Sequence, residues 1–234
     1  MNGFFDAFSR EIKSSLNKWK RFDWIFYLTC LTLLISSAII FDSSRLSLLI
    51  ACSSLTGAML NAKMVKYCFI FYLFSTVMYT YVAFHNRFYG EFILYAFYLF
   101  PVYIYGLACW SRNAHKRFIS KILDLRLRDW LILCGIGIVV TWGYGYILAK
   151  MGSLLPFVNS FATFACATAA YLAAKKIKQQ WIFWLLYSMA GVFIWMTTLD
   201  NGTAQLPLLF VNMIFIVVNI IGYRNWIIMQ KHLS

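Results

Sequence analysis

Acidic residues are scarce in this chain, and so are charged residues of any kind. The 234 residues include 8 Asp or Glu against 21 Lys or Arg, and charged residues make up 12% of the total, whereas soluble domains contain about 25%. No HExxH or GxxxxGK[ST] sequence occurs, and the 3 histidines lie far apart. An enzyme needs a nucleophile with a base, paired carboxylates or metal ligands. These absences predict a protein that is not an enzyme and that uses no metal and no cofactor.

Paired cysteines and long polar stretches are missing as well. All 6 cysteines lie within apolar stretches, and no CxxC sequence is present. Such cysteines are typical of small buried apolar residues and not of disulfides or metal sites. The absence of long polar stretches excludes a water-soluble domain of any size.

Apolar residues are abundant, at 62% of the chain, and they cluster. Eight stretches are about as long as a helix that crosses roughly 30 Å of hydrocarbon. They are 23–40, 46–60, 65–84, 91–110, 130–149, 157–174, 181–199 and 206–223. We therefore predict an all-α integral membrane protein, in which residues 1–234 form a single membrane domain with eight transmembrane helices.

The distribution of basic residues predicts the orientation. With the N-terminus in the cytoplasm, all of the 21 basic residues fall on the inner side except Arg45, Arg87 and Lys150. Basic loops remain cytoplasmic in membrane proteins, so we expect both termini inside. The net charge of +13 then faces anionic lipids, and nucleic acid is not an expected partner.

Two parts of the sequence resemble each other. The pattern Lys63-x12-Ser75 recurs as Lys176-x12-Ser188, and Gly106-x3-Trp110 recurs as Gly222-x3-Trp226. The predicted units are an extra N-terminal helix at 23–40, a three-helix unit at 46–110, a linker helix at 130–149 and a second three-helix unit at 157–226. A single linking helix leaves the two units in the same orientation, so a 3+1+3 parallel repeat is predicted. Transporters built in this way bind their solute between the halves near mid-membrane.

One helical stripe carries the residue types that a flat ring needs. Trp181, Trp184 and Ser188 are spaced i, i+3 and i+7 and therefore share a helix face. A heteroaromatic ring can stack on such indoles and be held by a few hydrogen bonds. Polar residues recur in other spans, namely Ser75, Asn159, Asn212 and Asn219. Core packing of the aromatics and helix–helix bonding of the amides are the alternative interpretations.

The placement of the acidic residues predicts how energy is used. All of them lie in loops or at the ends of spans, whereas proton-driven carriers usually keep an ionisable residue inside the bundle. We therefore expect passive transport of a neutral or cationic organic solute.

Three stretches of this chain resemble the PnuC family of vitamin and nucleoside transporters, and the resemblance covers nearly the whole sequence. They are RFYGEFILYAFYLFPVYIYGLACWSRN at 87–113, LPFVNSFATFACATAAYLAAKKIKQQWIFWLLYS at 155–188 and GYRNW at 222–226. The resemblance implies a SWEET-like 3+1+3 bundle, trimers, a bacterial inner membrane and facilitated diffusion with trapping by a cytoplasmic kinase. The substrate-binding residues that it and the helical stripe predict are Trp181, Trp184, Ser188, Tyr103, Ser75, Asn159 and Asn212.

The resemblance leaves the solute open. Trp181 and Trp184 agree with nicotinamide riboside carriers, whereas Ser75, Tyr103, Ser188 and Asn159 stand where those carriers typically have other residues. Thiamine, a flavin or another nucleoside is therefore an alternative guest. A substrate-binding component of an ATP-driven vitamin importer, which would dock through small residues such as Ala165, Ala169 and Ala173, is an alternative function. A membrane scaffold without a substrate is a third.

The orientation is tested by cysteine labelling. In a background without the natural cysteines, a cysteine placed in the 112–129 loop should not react with a membrane-impermeant maleimide in intact cells, because that loop is predicted to be cytoplasmic. A cysteine at Arg87 should react. Efficient labelling of the 112–129 loop from outside would overturn the orientation and the repeat.

Overall fold

The computed structural model describes residues 19–115, 122–199 and 205–233, and the side chains of 112–115 and 233 are not described. Its helices are α1 (Arg21–Ile40), α2 (Arg45–Ala62), α3 (Cys68–His85), α4 (Tyr89–Leu94), a π-helical turn (Tyr95–Leu99), α5 (Phe100–His115), α6 (Leu127–Lys150), α7 (Pro156–Ala174), α8 (Gln180–Met196) and α9 (Leu206–Leu233). Within the ranges described, the one β-type pairing is an isolated bridge between Leu123 and Ile177. The predicted all-helical class is confirmed.

Seven apolar helices in these ranges are long enough to cross a membrane. One of them is continuous from α4 through the π-helical turn into α5, over Tyr89–Ser111. Helix α8 is also apolar, but it is shorter, with 17 residues, because the chain turns at Thr197. Seven spans therefore meet the length that a bilayer requires, and the shorter α8 corresponds to the predicted stretch at 181–199.

Six helical segments form a closed ring. Helices α2, α3, α4–α5, α7, α8 and α9 pack against one another in that order, and α9 returns to α2. Helix α1 packs against α2 and α9 from outside, and α6 packs chiefly against α7. Burial is highest in the ring helices α2 and α7, at 61% each, and it is low in the outer helices α1 and α6, at 28% and 17%. The α4–α5 segment is an exception within the ring, since 22% of it is buried. The core therefore lies inside the ring.

Aromatic rings lie directly on glycine backbones at several places in this ring, and two of these contacts are equivalent. A Cβ atom on Gly106 would lie 2.6 Å from the Phe69 ring, and one on Gly222 would lie 2.6 Å from the Trp181 ring. Each of these two contacts joins the second and third helix of a predicted unit. Close approach of this kind, made possible by small residues, is how membrane helices gain packing energy where lipid offers no hydrophobic driving force.

Two tryptophans fasten the halves of the ring to each other. The Trp226 indole donates to the Asn61 carbonyl at 3.1 Å, and the Trp110 indole donates to the Ala173 carbonyl at 3.3 Å. These bonds connect α9 to α2 and α5 to α7, and they satisfy indole N–H groups that would otherwise be buried without a partner.

The loop before α6 is held against the start of α8 and the end of α9. Lys178 forms an ion pair with Asp124 at 2.7 Å, and the Gln230 amide donates to Asp124 at 2.7 Å. Burial alone would raise the pKa of the Asp124 carboxyl, but hydrogen bonds from Lys178, Gln230 and Gln179 lower it below its usual value. The loop that leads into the linker helix is therefore anchored at this end of the ring.

The glycine contact can be tested with matched variants. Gly222→Ala should lower the free energy of unfolding by about 1–3 kcal/mol, because its Cβ overpacks against Trp181. Gly135→Ala is the control, since a Cβ there meets nothing within 4 Å, and alanine favours a helix. Thermal unfolding of the detergent-purified variants should show a lower midpoint for Gly222→Ala only. Equal midpoints would contradict this account of the packing.

Candidate functional site

The ring encloses a cavity between its two halves, of about 680 Å³ including its mouth. Residues of α2, α3, the π-helical turn, α5, α8 and α9 line it, and none of these described lining residues is charged. Ligand sites are typically apolar and aromatic with a few polar groups. The polar lining residues are Ser54, Ser75, Thr76, Ser188, Asn212 and Asn219, and the aromatic ones are Tyr72, Tyr79, Tyr95, Tyr103, Trp181, Trp184, Tyr187 and Phe215.

The structure brings together six of the seven residues that the sequence and the resemblance predicted for the site. The six that line the cavity are Trp181, Trp184, Ser188, Tyr103, Ser75 and Asn212. They come from α3, α5, α8 and α9, so both predicted three-helix units contribute.

Asn159 does not line the cavity, contrary to the prediction. It is fully buried in α7 and faces α4, where a Cβ on Gly90 would lie 2.1 Å from its Oδ1 atom. Its position near the start of α7 is as expected. The helix is rotated so that this residue packs at the contact between the halves, and neither of its polar side-chain atoms has a partner among the described residues.

Stacked rings from both halves form one wall of the cavity. The Tyr72 ring stacks on Tyr103 with centroids 5.1 Å apart, and it lies 6.3 Å from Trp184 at a tilt of 31°. Trp184 in turn meets Tyr187 edge to face at 6.0 Å. Parallel and tilted ring faces of this kind accept a flat guest.

Four buried polar atoms on the lining residues have no hydrogen-bond partner within the ranges that the structure describes. They are the indole Nε1 atoms of Trp181 and Trp184, the Thr76 hydroxyl and the Asn212 Oδ1 atom. Buried polar groups without partners are rare in folded proteins, and each calls for an explanation. Two donors, one acceptor and one hydroxyl around a single cavity match the needs of a polar ligand.

The remaining polar side chains form a short chain along α8 and α9. The Asn219 amide donates to the Ser188 hydroxyl at 3.0 Å, which donates to the Trp184 carbonyl at 2.8 Å. The Asn212 amide donates to the Leu208 carbonyl at 2.8 Å, while its Oδ1 atom is buried without a partner among the described residues and lies close to Gly191 on α8. Asn212 and Asn219 are two turns apart on α9, so they face the same side.

A second polar group was missed by the sequence analysis. The Tyr79 hydroxyl donates to Glu91 in a short hydrogen bond, and the Tyr95 and Tyr187 hydroxyls are bonded at 2.8 Å. Glu91 is only 1% exposed, so the prediction that the bundle contains no ionisable residue is wrong at this position. It lies at a span end as expected, in the first turn of α4, but its side chain is buried beneath Tyr79.

A signal for part of this group was present in the sequence. Tyr72, Thr76 and Tyr79 are spaced i, i+4 and i+7 on α3, which is one helix face. The π-helical turn that positions Tyr95 has no comparable signal, although such turns often occur at functional sites.

Comparisons with known proteins point to one family. Residues 44–228 match a family described as "Nicotinamide mononucleotide transporter". A relative from Neisseria mucosa named "Nicotinamide riboside transporter PnuC" is 26% identical over 227 residues, which cover 92% of this chain and 84% of the relative. A relative of the same name from Haemophilus influenzae is 22% identical over 214 residues, covering 89% of this chain and 90% of the relative.

A solved structure shares the fold. It is described as the crystal structure of the vitamin B3 transporter PnuC, and it superposes with a TM-score of 0.82 at 24% identity, covering 95% of this chain and 97% of the other. The family match spans most of the chain, and the predicted resemblance to PnuC is confirmed. The protein therefore belongs to the nicotinamide mononucleotide transporter family, a family of multi-pass membrane transporters and not of enzymes.

Proposed function

We propose that this protein lets a vitamin-type nucleoside diffuse across the bacterial inner membrane into the cytoplasm. A cytoplasmic kinase then traps the solute there by phosphorylating it. Nicotinamide riboside is the first candidate, and thiamine, a flavin or another nucleoside is the alternative. The observation that carries the proposal is the set of four unpartnered polar atoms, on Thr76, Trp181, Trp184 and Asn212, around one aromatic cavity. The names of the relatives support the choice of solute.

The ring of the solute is proposed to lie against Trp184, in line with the Tyr72–Tyr103 stack. Its polar arm would replace the missing partners of Trp181 and Asn212 and would reach Ser188. These three side chains are buried to 6% exposure or less, so water competes weakly for their hydrogen bonds. Ser75 lines the same cavity, although its hydroxyl already donates to the Tyr72 carbonyl at 3.0 Å.

We also propose the 3+1+3 repeat, with units at 46–110 and 157–226, the linker at 130–149 and the extra helix at 23–40. Equivalent contacts support it: Phe69 lies on Gly106 as Trp181 lies on Gly222. The neighbours in the ring also correspond, because the third segment of each unit packs against the first helix of the other.

The equivalent contacts favour a register of 112 residues in the first two helices of each unit. Phe69 and Trp181 are 112 apart, and so are Met64 and Lys176, which share a left-handed backbone with φ of 57° and 58°. The sequence pattern paired Lys63 with Lys176, which is an offset of 113 residues and therefore one residue more. The corrected register pairs Tyr72 with Trp184, the two rings that meet across the cavity.

The orientation with both termini inside rests on the distribution of basic residues. We propose that α8 crosses the membrane together with the seven longer helices, which makes eight spans. Trimeric assembly rests on the family resemblance alone. The importer-component alternative is disfavoured because Ala165, Ala169 and Ala173 are at most 1% exposed. Their small side chains pack inside this protein and are not available to a partner.

Substitution of Trp184 tests the site. Trp184→Ala should weaken binding of the solute about ten- to a hundredfold, since stacking of a base on an aromatic ring is worth about 1–3 kcal/mol. Trp142→Ala is the control, because Trp142 is 67% exposed on α6 and lies outside the cavity lining. Isothermal titration against nicotinamide riboside, thiamine, riboflavin and nucleosides gives the affinities. If Trp181→Ala and Trp184→Ala both bind like the wild type, the site assignment is wrong.

Uptake by the purified protein in liposomes tests the mode of transport. With the membrane potential clamped at zero, the initial uptake rate should not change when a proton or sodium gradient is imposed. The reason is that Glu91, the carboxylate behind the wall of the cavity, does not by itself form a relay across the described helices. Uptake without any partner protein also separates the facilitator from the importer component. A clear dependence on either gradient would contradict passive transport and would point to Glu91.

A further inference from the structure

We propose that Glu91 makes the cavity selective for a solute whose ring carries a permanent positive charge. The inference rests on the proposed function and narrows the class of solute that the same cavity accepts. Glu91 does not touch the cavity itself. It acts through Tyr79 and Tyr187, which do, and it is therefore a positioning residue and a source of negative potential.

Burial and bonding place this carboxylate directly behind the cavity wall. Glu91 is 1% exposed. It accepts a hydrogen bond from the Tyr79 hydroxyl, and the Tyr187 hydroxyl also faces it. Both tyrosines line the cavity, as does Tyr95, which is bonded to Tyr187. The carboxylate is thus one side chain away from the space that a solute would occupy.

No cation of the protein compensates for this charge in the part of the chain described. The ion pairs there are Lys63–Asp23 and Lys178–Asp124, and Glu91 takes part in neither. The lining residues of the cavity carry no charge. Hydroxyl donors offset part of the cost of burying a carboxylate. A carboxylate buried without a counter-ion tends to take up a proton, and a bound cation would supply the counter-ion that stabilises its charged form.

The two halves of the protein differ in the acidic residues that they bring near the cavity. Residues 156–234 contain one acidic residue, Asp200, and it lies outside the described residues. The described helices of the second half therefore bring no carboxylate to the cavity. Negative potential is concentrated on the side of α3, α4 and the π-helical turn.

The neighbouring rings favour a cation for a second reason. Tyr79 and Tyr95 stack with centroids 4.3 Å apart, and Trp195 meets Tyr79 edge to face at 6.0 Å. Aromatic faces attract cations through their quadrupoles, and the attraction grows where water is excluded. A neutral ring would be stabilised by stacking alone. A cationic ring would also be attracted electrostatically by the Glu91 carboxylate, and this attraction is strong in a medium of low dielectric constant.

This selectivity divides the candidate solutes. Nicotinamide riboside has a pyridinium ring and thiamine has a thiazolium ring, and both are positively charged at any physiological pH. Flavins and the common nucleosides are neutral. The structure therefore favours the first pair.

A charge-matched pair of ligands tests the inference. Nicotinamide riboside and its reduced dihydro form have nearly the same shape, but only the first is a cation. Titration calorimetry with the purified wild-type protein should show at least tenfold tighter binding of the cation. Thiamine and its neutral 3-deaza analogue form a second pair with the same expected order.

Variants of Glu91 separate charge from structure. Glu91→Gln keeps the size and an acceptor for Tyr79, and it should weaken binding of the cation at least tenfold while the neutral ligand is bound as before. Glu91→Asp retains the charge and should keep the preference for the cation. Gel filtration and thermal unfolding show whether each variant is folded.

Three results would overturn the inference. Equal binding of cation and neutral ligand by the wild type does so whether or not the variants fold. An equal loss of both ligands in a folded Glu91→Gln protein shows a structural role only. Failure of the folded wild type to bind any of the four ligands overturns this inference, whereas the proposed function is overturned only if flavins and the common nucleosides also fail to bind.

Discussion

Both halves of this protein depend on an aromatic ring that rests on a bare stretch of helix backbone. Phe69 on Gly106 and Trp181 on Gly222 bring the second and third helices of each half to a distance that side chains on both surfaces would not permit. Inside a bilayer apolar side chains gain nothing by leaving lipid, so close packing and hydrogen bonds have to supply the cohesion. The indoles of Trp110 and Trp226 add the hydrogen bonds that join one half to the other.

The cavity brings together several buried polar groups that lack hydrogen-bond partners. Among the other buried groups of the ring, the Trp226 indole donates to the Asn61 carbonyl, whereas the Asn159 amide has no partner among the described residues. At the cavity, Thr76, Trp181, Trp184 and Asn212 keep atoms without partners. Such groups destabilise the protein when no ligand is bound, and they become favourable when a ligand supplies the missing bonds. A site of this kind discriminates against a solute that lacks the matching groups more strongly than it rewards one that has them.

The sequence allowed the class of fold and much of the site to be predicted. Hydropathy and charge measure averages over a span, so they located the helices well. The spacing of Trp181, Trp184 and Ser188 located the face of α8 that lines the cavity, because a stripe on one helix is a local property. The direction in which a residue points is not local, and this is why Asn159 was assigned to the cavity although it packs against Gly90. Glu91 was misjudged for the same reason, since a position at the end of a span does not show whether Tyr79 covers it.

The two halves meet at the α2–α9 contact and at the contact of α4 and α5 with α7, and helix α1 reinforces only the first of these. It packs against both α2 and α9, and it is fixed to α2 by the Lys63–Asp23 ion pair at 2.7 Å and by the Tyr27–Thr56 hydrogen bond at 2.8 Å. At the opposite contact, where α4 and α5 meet α7, the peripheral helix α6 packs chiefly against α7. It would therefore travel with the second half in any relative motion. The α2–α9 contact is therefore covered and held by α1, whereas the α5–α7 contact has no such outer helix bound to both sides among the helices described. Rotation of the halves about the α2–α9 contact costs less than separation of that contact. The α5–α7 contact has the greater freedom to open.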